Sequence, residues 1–374
     1  MSCLRTNMRV AVLDIGSNSV LLLVAERTPD GWRVLSDQSA ITRLGEGFEP
    51  DRTLKPMAVQ RTLTAIENYL QQCHAMDVER IVAVATAVVR KAANREVLLQ
   101  PLQERDCPVR VLSEREEAEL SFLAVALDPA LWVSPPPAAE EEGDAFDELS
   151  TKLVGTNGEL HFWQVFLRDR LAVGKPKLST NGTQAHESVG ERGGAWLVID
   201  IGGGSVECAY GPPQRDTTNL RWRSLPAGAM TLREQLAPAD PPNPDEIGRV
   251  CDWLDEQFQF LGWLPAPEQI VTVGGTGVNL ALLWHALHGS PATPEQIHGF
   301  RLTWGMLVKM LELLLCLSDA ERARLPGIEP ERAPVLHLGA LILERIMTKL
   351  GMADVRVSTY GLRYGVLWSW GNGI

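Results

Sequence analysis

The chain has no surplus of basic residues. Thirty-five Lys and Arg stand against 47 Asp and Glu over 374 positions, a formal net charge of −12. That argues against general, sequence-independent binding of nucleic acid or an anionic membrane, which takes a cationic face. A small anionic substrate in a locally basic cleft stays open. Cysteine pairing is lacking too. The six cysteines, Cys3, Cys73, Cys107, Cys208, Cys251 and Cys316, are scattered, with no CxxC. They read as reduced thiols of a cytoplasmic protein. No run approaches the ~20 apolar residues of a membrane span. No secretory leader is expected, because Asp14 interrupts the first apolar run and no small-residue cleavage site follows; Met8, just ahead of that run, is a candidate start. With 45% hydrophobic and 22% charged residues, the length suits a globular protein of two domains.

What is present is a repeated glycine hairpin. In VIDIGGGSVECAYG (198–211) an apolar run reaches Asp200, then come Gly202, Gly203, Gly204 and Ser205, then a second apolar run. Strand, glycine turn, strand brings backbone N–H groups up to an anion, with no Cβ in the way. Alone, it reads equally well as an ordinary hairpin turn. But VAVLDIGSNSVLLLVAE (10–26) aligns with it without gaps, Asp14 on Asp200, Gly16 on Gly202 and Ser19 on Ser205. Two such hairpins a domain's length apart argue for a duplicated fold with a phosphate-bearing ligand between the halves.

Around the hairpins, strands are expected at 34–41, 81–85 and 109–112, with a helical stripe over 56–73. Asn94 is a candidate cap for a helix through Arg105. Ser113 and Glu116 form a capping-box signature, so a helix starts there with Glu114, Glu116 and Glu117 in its first turn. Residues 128–194 break the pattern. They are Pro-rich, then acidic, and read as a partly disordered surface insertion, so that replacing 134–190 by a short linker is expected to preserve folding if it is peripheral, with Asn157-Gly158 as the turn of a small hairpin. The second half adds a helix over 245–260, a strand at 270–273 running into GGTGVNLALLWHAL, a long apolar helix closed by Gly351, a strand at 355–358 and a short final helix. His285 and His288 have HxxH spacing without the usual Glu and read as helix-surface residues.

Taken in order, the blocks DIGSNS (14–19), TRLGEG (42–47), ATAVVRKAAN (85–94), SEREEA (113–118), DIGGGSVE (200–207), SLPAGA (224–229), GGTGVNLA (274–281), HGFRLT (298–303), LPGIEPERA (325–333) and STYGLRYG (358–365) resemble the exopolyphosphatase / guanosine pentaphosphate phosphohydrolase family. That family lies within the actin, sugar kinase and heat-shock ATPase superfamily. The resemblance implies two duplicated actin-like (ribonuclease H-like) α/β domains with mixed sheets and an interdomain cleft. These would span 1–127 and 195–359, with a C-terminal helix near 360–374 packing back on the first.

The resemblance also implies a chemistry. Phosphates would be held by Asp14, Gly16, Ser17, Asn18, Ser19, Arg90, Gly202, Gly203, Gly204, Ser205, Gly275 and Thr276. Glu117 matches the family's general base, with Glu207 as its catalytic companion. Asp14, Asp200 and Glu207 would hold Mg²⁺, partly through waters. The expected activity is release of orthophosphate from the end of inorganic polyphosphate. The alternatives are the 5′-phosphate of guanosine pentaphosphate, or a catalytically weak sensor that binds either. A homodimer is expected by analogy. The chain departs from the family pattern at Leu21, where an arginine is usual, and at Glu114, Thr359 and Tyr364. Arg43, Lys91, Arg301 and Arg363 are candidates to replace the lost cation.

Overall fold

A computed structural model describes residues 7–133, 159–171, 194–237 and 239–370. Two mixed sheets divide them. The first has the order β3-β2-β1-β4-β5, from β1 (Arg9–Ile15), β2 (Ser19–Thr28), β3 (Gly31–Ile41), β4 (Arg80–Ala85) and β5 (Val109–Val111). The second has the order β10-β11-β9-β6-β7-β8, from β6 (Trp196–Ile201), β7 (Val206–Gly211), β8 (Arg221–Leu225), β9 (Gln269–Val273), β10 (Arg301–Thr303) and β11 (Asp354–Val357). In each, the hairpin strand pairs antiparallel on one side and parallel on the other: β1 with β2 and β4, β6 with β7 and β9. The central strands β1 and β6 are buried nearly throughout, as expected where helices cover both faces.

Helices α1 (Pro56–Ala75), α2 (Ala87–Lys91), α3 (Glu96–Gln103) and α4 (Glu114–Ala126) belong to the first half. The capping box at Ser113 and Glu116 is formed, which fixes the start of α4. Asn94 does not cap α3. Its amide instead clamps Leu54, accepting from the N–H at 2.8 Å and donating to the carbonyl at 3.0 Å, and Arg95 takes the N-cap position without a side-chain bond. The segment has a backbone partner to satisfy, and Asn94 serves it better than it would serve a solvent-exposed helix end.

Helix α5 (Glu159–Leu171) corrects the insertion reading. Residues expected to give the second arm of a hairpin are helical. Their Trp163 and Leu167, 4% and 0% exposed, sit in the core of the second half with Leu197, Val250 and Leu311. The turn Asn157-Gly158 and the expected disorder fall outside the described residues. Residues 128–133 are also tied down: Arg356 donates to the carbonyls of Leu131 and Val133 at 3.1 and 2.7 Å. His298 accepts from the Thr359 N–H at its Nδ1 and donates from Nε2 to Asp128 at 2.6 Å, joining the two places where the chain crosses between halves.

The second half is completed by α6 (Ala229–Gln235), α7 (Pro244–Gln257), α8 (Gly275–Leu287), α9 (Trp304–Cys316) and α10 (Ala333–Leu350), the last ended by Gly351 at φ 65°. Helix α11 (Leu362–Trp370) returns to the first sheet, laying Leu362, Tyr364, Val366 and Leu367 on Val10, Val12, Leu23 and Val84. His285 and His288 are half-buried rather than at the helix surface. Cys73, Cys107, Cys208, Cys251 and Cys316 are free and buried; Cys3 lies outside the described residues. No described helix is long and apolar enough to cross a membrane.

Because α5 fills the second core, Trp163→Ala is expected to cost about 3–5 kcal/mol in urea unfolding. The neighbouring Phe162→Ala, at a position 46% exposed, should cost well under about 1 kcal/mol. Equal, small effects would show that α5 is peripheral.

Candidate functional site

The two hairpin tips meet in the cleft. Each is closed by the same bond, Gly16 N–H to the Ser19 carbonyl at 2.9 Å and Gly202 N–H to the Ser205 carbonyl at 3.0 Å. Each is also braced from behind through its carbonyls. Thr42 and Arg43 N–H donate to Asn18 O, and Gly45 N–H to Ser17 O; Ala229 N–H donates to Gly202 O, and Met230 and Thr231 N–H to Gly203 O. With the carbonyls engaged from behind, the amides of Ser17, Asn18, Gly203 and Gly204 make no hydrogen bond among the described residues. The tips touch: a Cβ on Gly204 would lie 2.8 Å from Ser17 Oγ, so a side chain there would turn the Ser17 hydroxyl away.

Between the tips lies a cavity of about 130 Å³. All the residues implied by the resemblance line it except Arg90: Asp14, Gly16, Ser17, Asn18, Ser19, Glu117, Asp200, Gly202, Gly203, Gly204, Ser205, Glu207, Gly275 and Thr276. Arg90, expected on the phosphate, instead donates to Glu117 Oε2 at 2.8 Å and to the Leu112 carbonyl at 2.8 Å. A carboxylate only 6% exposed needs a charged partner, and Arg90 supplies it.

The four carboxylates are packed by the secondary structure itself. Asp14 and Asp200 end equivalent strands. Glu207 stands directly opposite Asp200 across β6–β7. Glu117 and Ser121, one turn apart on α4, reach over to the second hairpin, and Ser121 Oγ donates to Asp200 at 2.9 Å. The Ser224 hydroxyl donates to Glu207 at 2.8 Å. Burial drives every one of these carboxyls up. Asp14 rises to about 7, helped by the charges of Asp200 and Glu117 and opposed by Arg363. Glu117 also rises to about 7, burial outweighing its bond to Arg90. Asp200 is raised by burial, against the Ser121 bond, and Glu207 is raised well above the usual range by burial and by Glu117 and Asp200. Asp14 Oδ1 is buried with no hydrogen-bond partner.

These residues fit a hard divalent cation. An orphaned carboxylate oxygen among mutually raised carboxyls is the surrounding that a bound positive charge relieves. Among the described residues no three acidic, His or Cys side chains close on a single point, so Asp14, Asp200 and Glu207 would hold such an ion together with waters and substrate oxygens.

Sequence reasoning missed Arg332. It enters from the second half at the start of α10, donates to Ser19 Oγ at 3.3 Å and pairs with Glu329. A Cβ on Gly275 would fall 2.2 Å from its Cζ, so the glycine opens the way for the guanidinium. The block LPGIEPERA carried this arginine, but nothing in its spacing said that it would cross the cleft. Ser121 was legible in principle as the residue one turn after Glu117.

Three comparisons bear on this architecture. The Ppx/GppA phosphatase family matches residues 23–129 and 183–372. The chain is 26% identical over 366 residues to exopolyphosphatase 1 of Mycobacterium leprae, covering 96% of this chain and 88% of that protein. It is similar to the crystal structure of the Aquifex aeolicus Ppx/GppA family member, with a TM-score of 0.68 and 26% identity over 97% of each chain. An exopolyphosphatase from Cytophaga hutchinsonii shares the fold at a TM-score of 0.77 and 21% identity, covering 98% of this chain and 99% of that one. With its two halves, its paired hairpins and a family match over well more than half its length, the chain belongs to the Ppx/GppA phosphatase family.

Proposed function

We propose that the protein is a cytoplasmic exopolyphosphatase, releasing orthophosphate from the end of inorganic polyphosphate. The observation that carries this reading is a cavity lined by two facing amide tips, Arg332 and four carboxyls, two of which, Asp14 and Glu117, are raised to about 7. The free amides and the Ser17, Asn18 and Ser205 side chains hold terminal phosphate oxygens, and Arg332 adds a charge-assisted bond. Glu117 takes a proton from a water as that water's oxygen bonds to the terminal phosphorus. The bridging P–O bond breaks, and its electron pair leaves with the shortened chain. Arg90 and α4 fix the Glu117 carboxylate, so the base is oriented before substrate arrives. A bound Mg²⁺ would offset phosphate charge in this otherwise acidic site.

Guanosine pentaphosphate is the second reading. It is favoured by a neighbouring cavity of about 130 Å³ behind the same tips, where Phe48, Trp253, Lys91 and Glu234 give a planar base room and hydrogen-bonding groups.

Phosphate release from both compounds, assayed side by side, separates the readings. In Glu117→Gln the rate should fall by about 10²–10⁴-fold while the substrate Kd holds; retained turnover would remove Glu117 as the base. A base must be ionised, so wild-type kcat/KM should rise with pH and level off above about 7, and the variant should lose that limb. Arg332→Ala should weaken phosphate binding by about 10- to 100-fold, as expected for a hydrogen bond to a charged group, with Arg332→Lys recovering part of it.

The raised carboxyls also predict a linkage. The folded state holds protons that the unfolded chain has lost, so stability falls as pH rises toward 7. A divalent cation binds the ionised form. Mg²⁺ should therefore raise the Tm more above pH 7 than below it, and a gain independent of pH would refute the site.

A further inference from the structure

The helix that carries Glu117 belongs to neither half alone. Ala118, Phe122, Val125 and Ala126 of α4 pack with Val198, Ala209, Val271 and Val273 of the second sheet. Ala124 packs instead with α11 and the first sheet. The two helices touch backbone to backbone. A Cβ on Gly365 would run into the Leu120 carbonyl, within one turn of Glu117. Helices α4 and α11 are therefore a pair, and the placement of the pair sets the placement of Glu117.

One imidazole holds both members where the chain crosses between halves. Asp128 follows α4 directly, its N–H still bonded to the Val125 carbonyl at 3.2 Å. Thr359 lies between β11 and α11. His298, on the second half just before β10, takes both: Nε2 donates to Asp128 Oδ2 at 2.6 Å, and Nδ1 accepts from the Thr359 N–H at 3.3 Å. The His298 and Asp128 side chains are 10% and 4% exposed, so water competes little for their bond. Arg356 holds the carbonyls of Ala130, Leu131 and Val133, which secures the first crossing alone. His298 joins it to the second. From there the Tyr360 ring lies against His298 at 4.3 Å and the Tyr364 ring against Tyr360 at 4.0 Å. The Tyr364 hydroxyl and the Arg363 guanidinium then donate to Asp37 on β3, at 2.8 Å and at 3.0 and 2.8 Å. The tips are braced by other residues, Thr42, Arg43 and Gly45 on one side and Ala229, Met230 and Thr231 on the other.

We propose that His298 is a positioning residue for hydrolysis: by joining Asp128 to Thr359 it fixes the α4–α11 pair to the second half, and so holds the Glu117 carboxylate in register with the second hairpin. The inference rests on the reading of Glu117 as the base and deepens it. Glu117 lies about three turns along α4 from Asp128, and a helix transmits a tilt at one end to the other. A misplacement of about 1 Å at the reacting groups is enough to cost about 100-fold in rate.

The test is a double-mutant cycle on the full-length chain, read by phosphate release from polyphosphate. His298→Ala should lower kcat by about 10- to 100-fold, with KM and the substrate Kd unchanged, because the tips keep their braces. In a Glu117→Gln background the same change should cost nothing further. Asp128→Asn keeps the shape of the side chain and the bond from the Ala130 N–H to Oδ1. It sets an amide NH2 against Nε2, so the imidazole can satisfy one crossing or the other but not both, and kcat should fall in the same way. Equal losses with and without Glu117, or a loss carried by KM, would overturn the proposal. Hydrogen exchange gives a readout free of activity. In His298→Ala the amides of α4 and α11 should exchange faster together, and those of β1 and β6 should not. Should wild type release no phosphate, the base reading falls. Exchange alone then decides whether His298 holds the pair, and unchanged rates in both helices refute it.

Discussion

Negative charge buried where two hairpins meet is the constraint on which this structure turns. Asp14, Glu207 and Glu117 are each under 9% exposed and Asp200 is half-buried beside them, and burial pushes all four carboxyls up. A cluster like this is unfavourable unless something positive or protonated occupies it. The fold answers with Arg90 for Glu117, with the Ser121 and Ser224 hydroxyls for Asp200 and Glu207, and, at longer range, with the charge of Arg363. Asp14 Oδ1 is left without an answer. This deficit is what the proposed cation and phosphate would balance.

The positive side of the site is mostly backbone. Bracing loops engage the hairpin carbonyls and leave the amides of Ser17, Asn18, Gly203 and Gly204 without a hydrogen bond among the described residues. The amides cost little entropy to hold in place, because the sheets fix them. They also act over a short range. The cavity walls differ between the halves. The second presents Glu207, the first presents Leu21, and among the described residues Arg332 is the guanidinium that lines the cavity.

Joining the halves takes more than the cleft. The segments at 128–133 and 358–361 meet at His298, which bonds Asp128 and Thr359 together. Helix α11 carries the end of the chain back onto the first sheet, so the last residues of one half help to close the other. Arg43 to Glu331, Gly47 to Glu234 and Arg332 to Ser19 then span the mouth of the cleft. Loops on both sides thus touch at the site.

Local chemistry fixed a good part of this in the sequence. Alternating apolar runs around glycine turns specified both hairpins, and their repetition specified a duplicated α/β fold. Ser113 with Glu116 set the start of α4 and so the place of Glu117 on it, because a capping box depends on neighbours alone. What depends on distant partners stayed out of reach. Asn94 looked like a cap until Leu54 came beside it. Residues 159–171 looked like surface until the second core closed over Trp163. Arg90 looked like a phosphate ligand, and nothing near it in the sequence said that its Nη1 would be held by Glu117 and the Leu112 carbonyl. Arg332 had no mark in the chain, since its role depends on Gly275 leaving room and on Ser19 lying opposite. A turn or a cap is decided by residues a few positions apart, but the partner of a buried charge is decided by whichever charge the packed chain brings within reach.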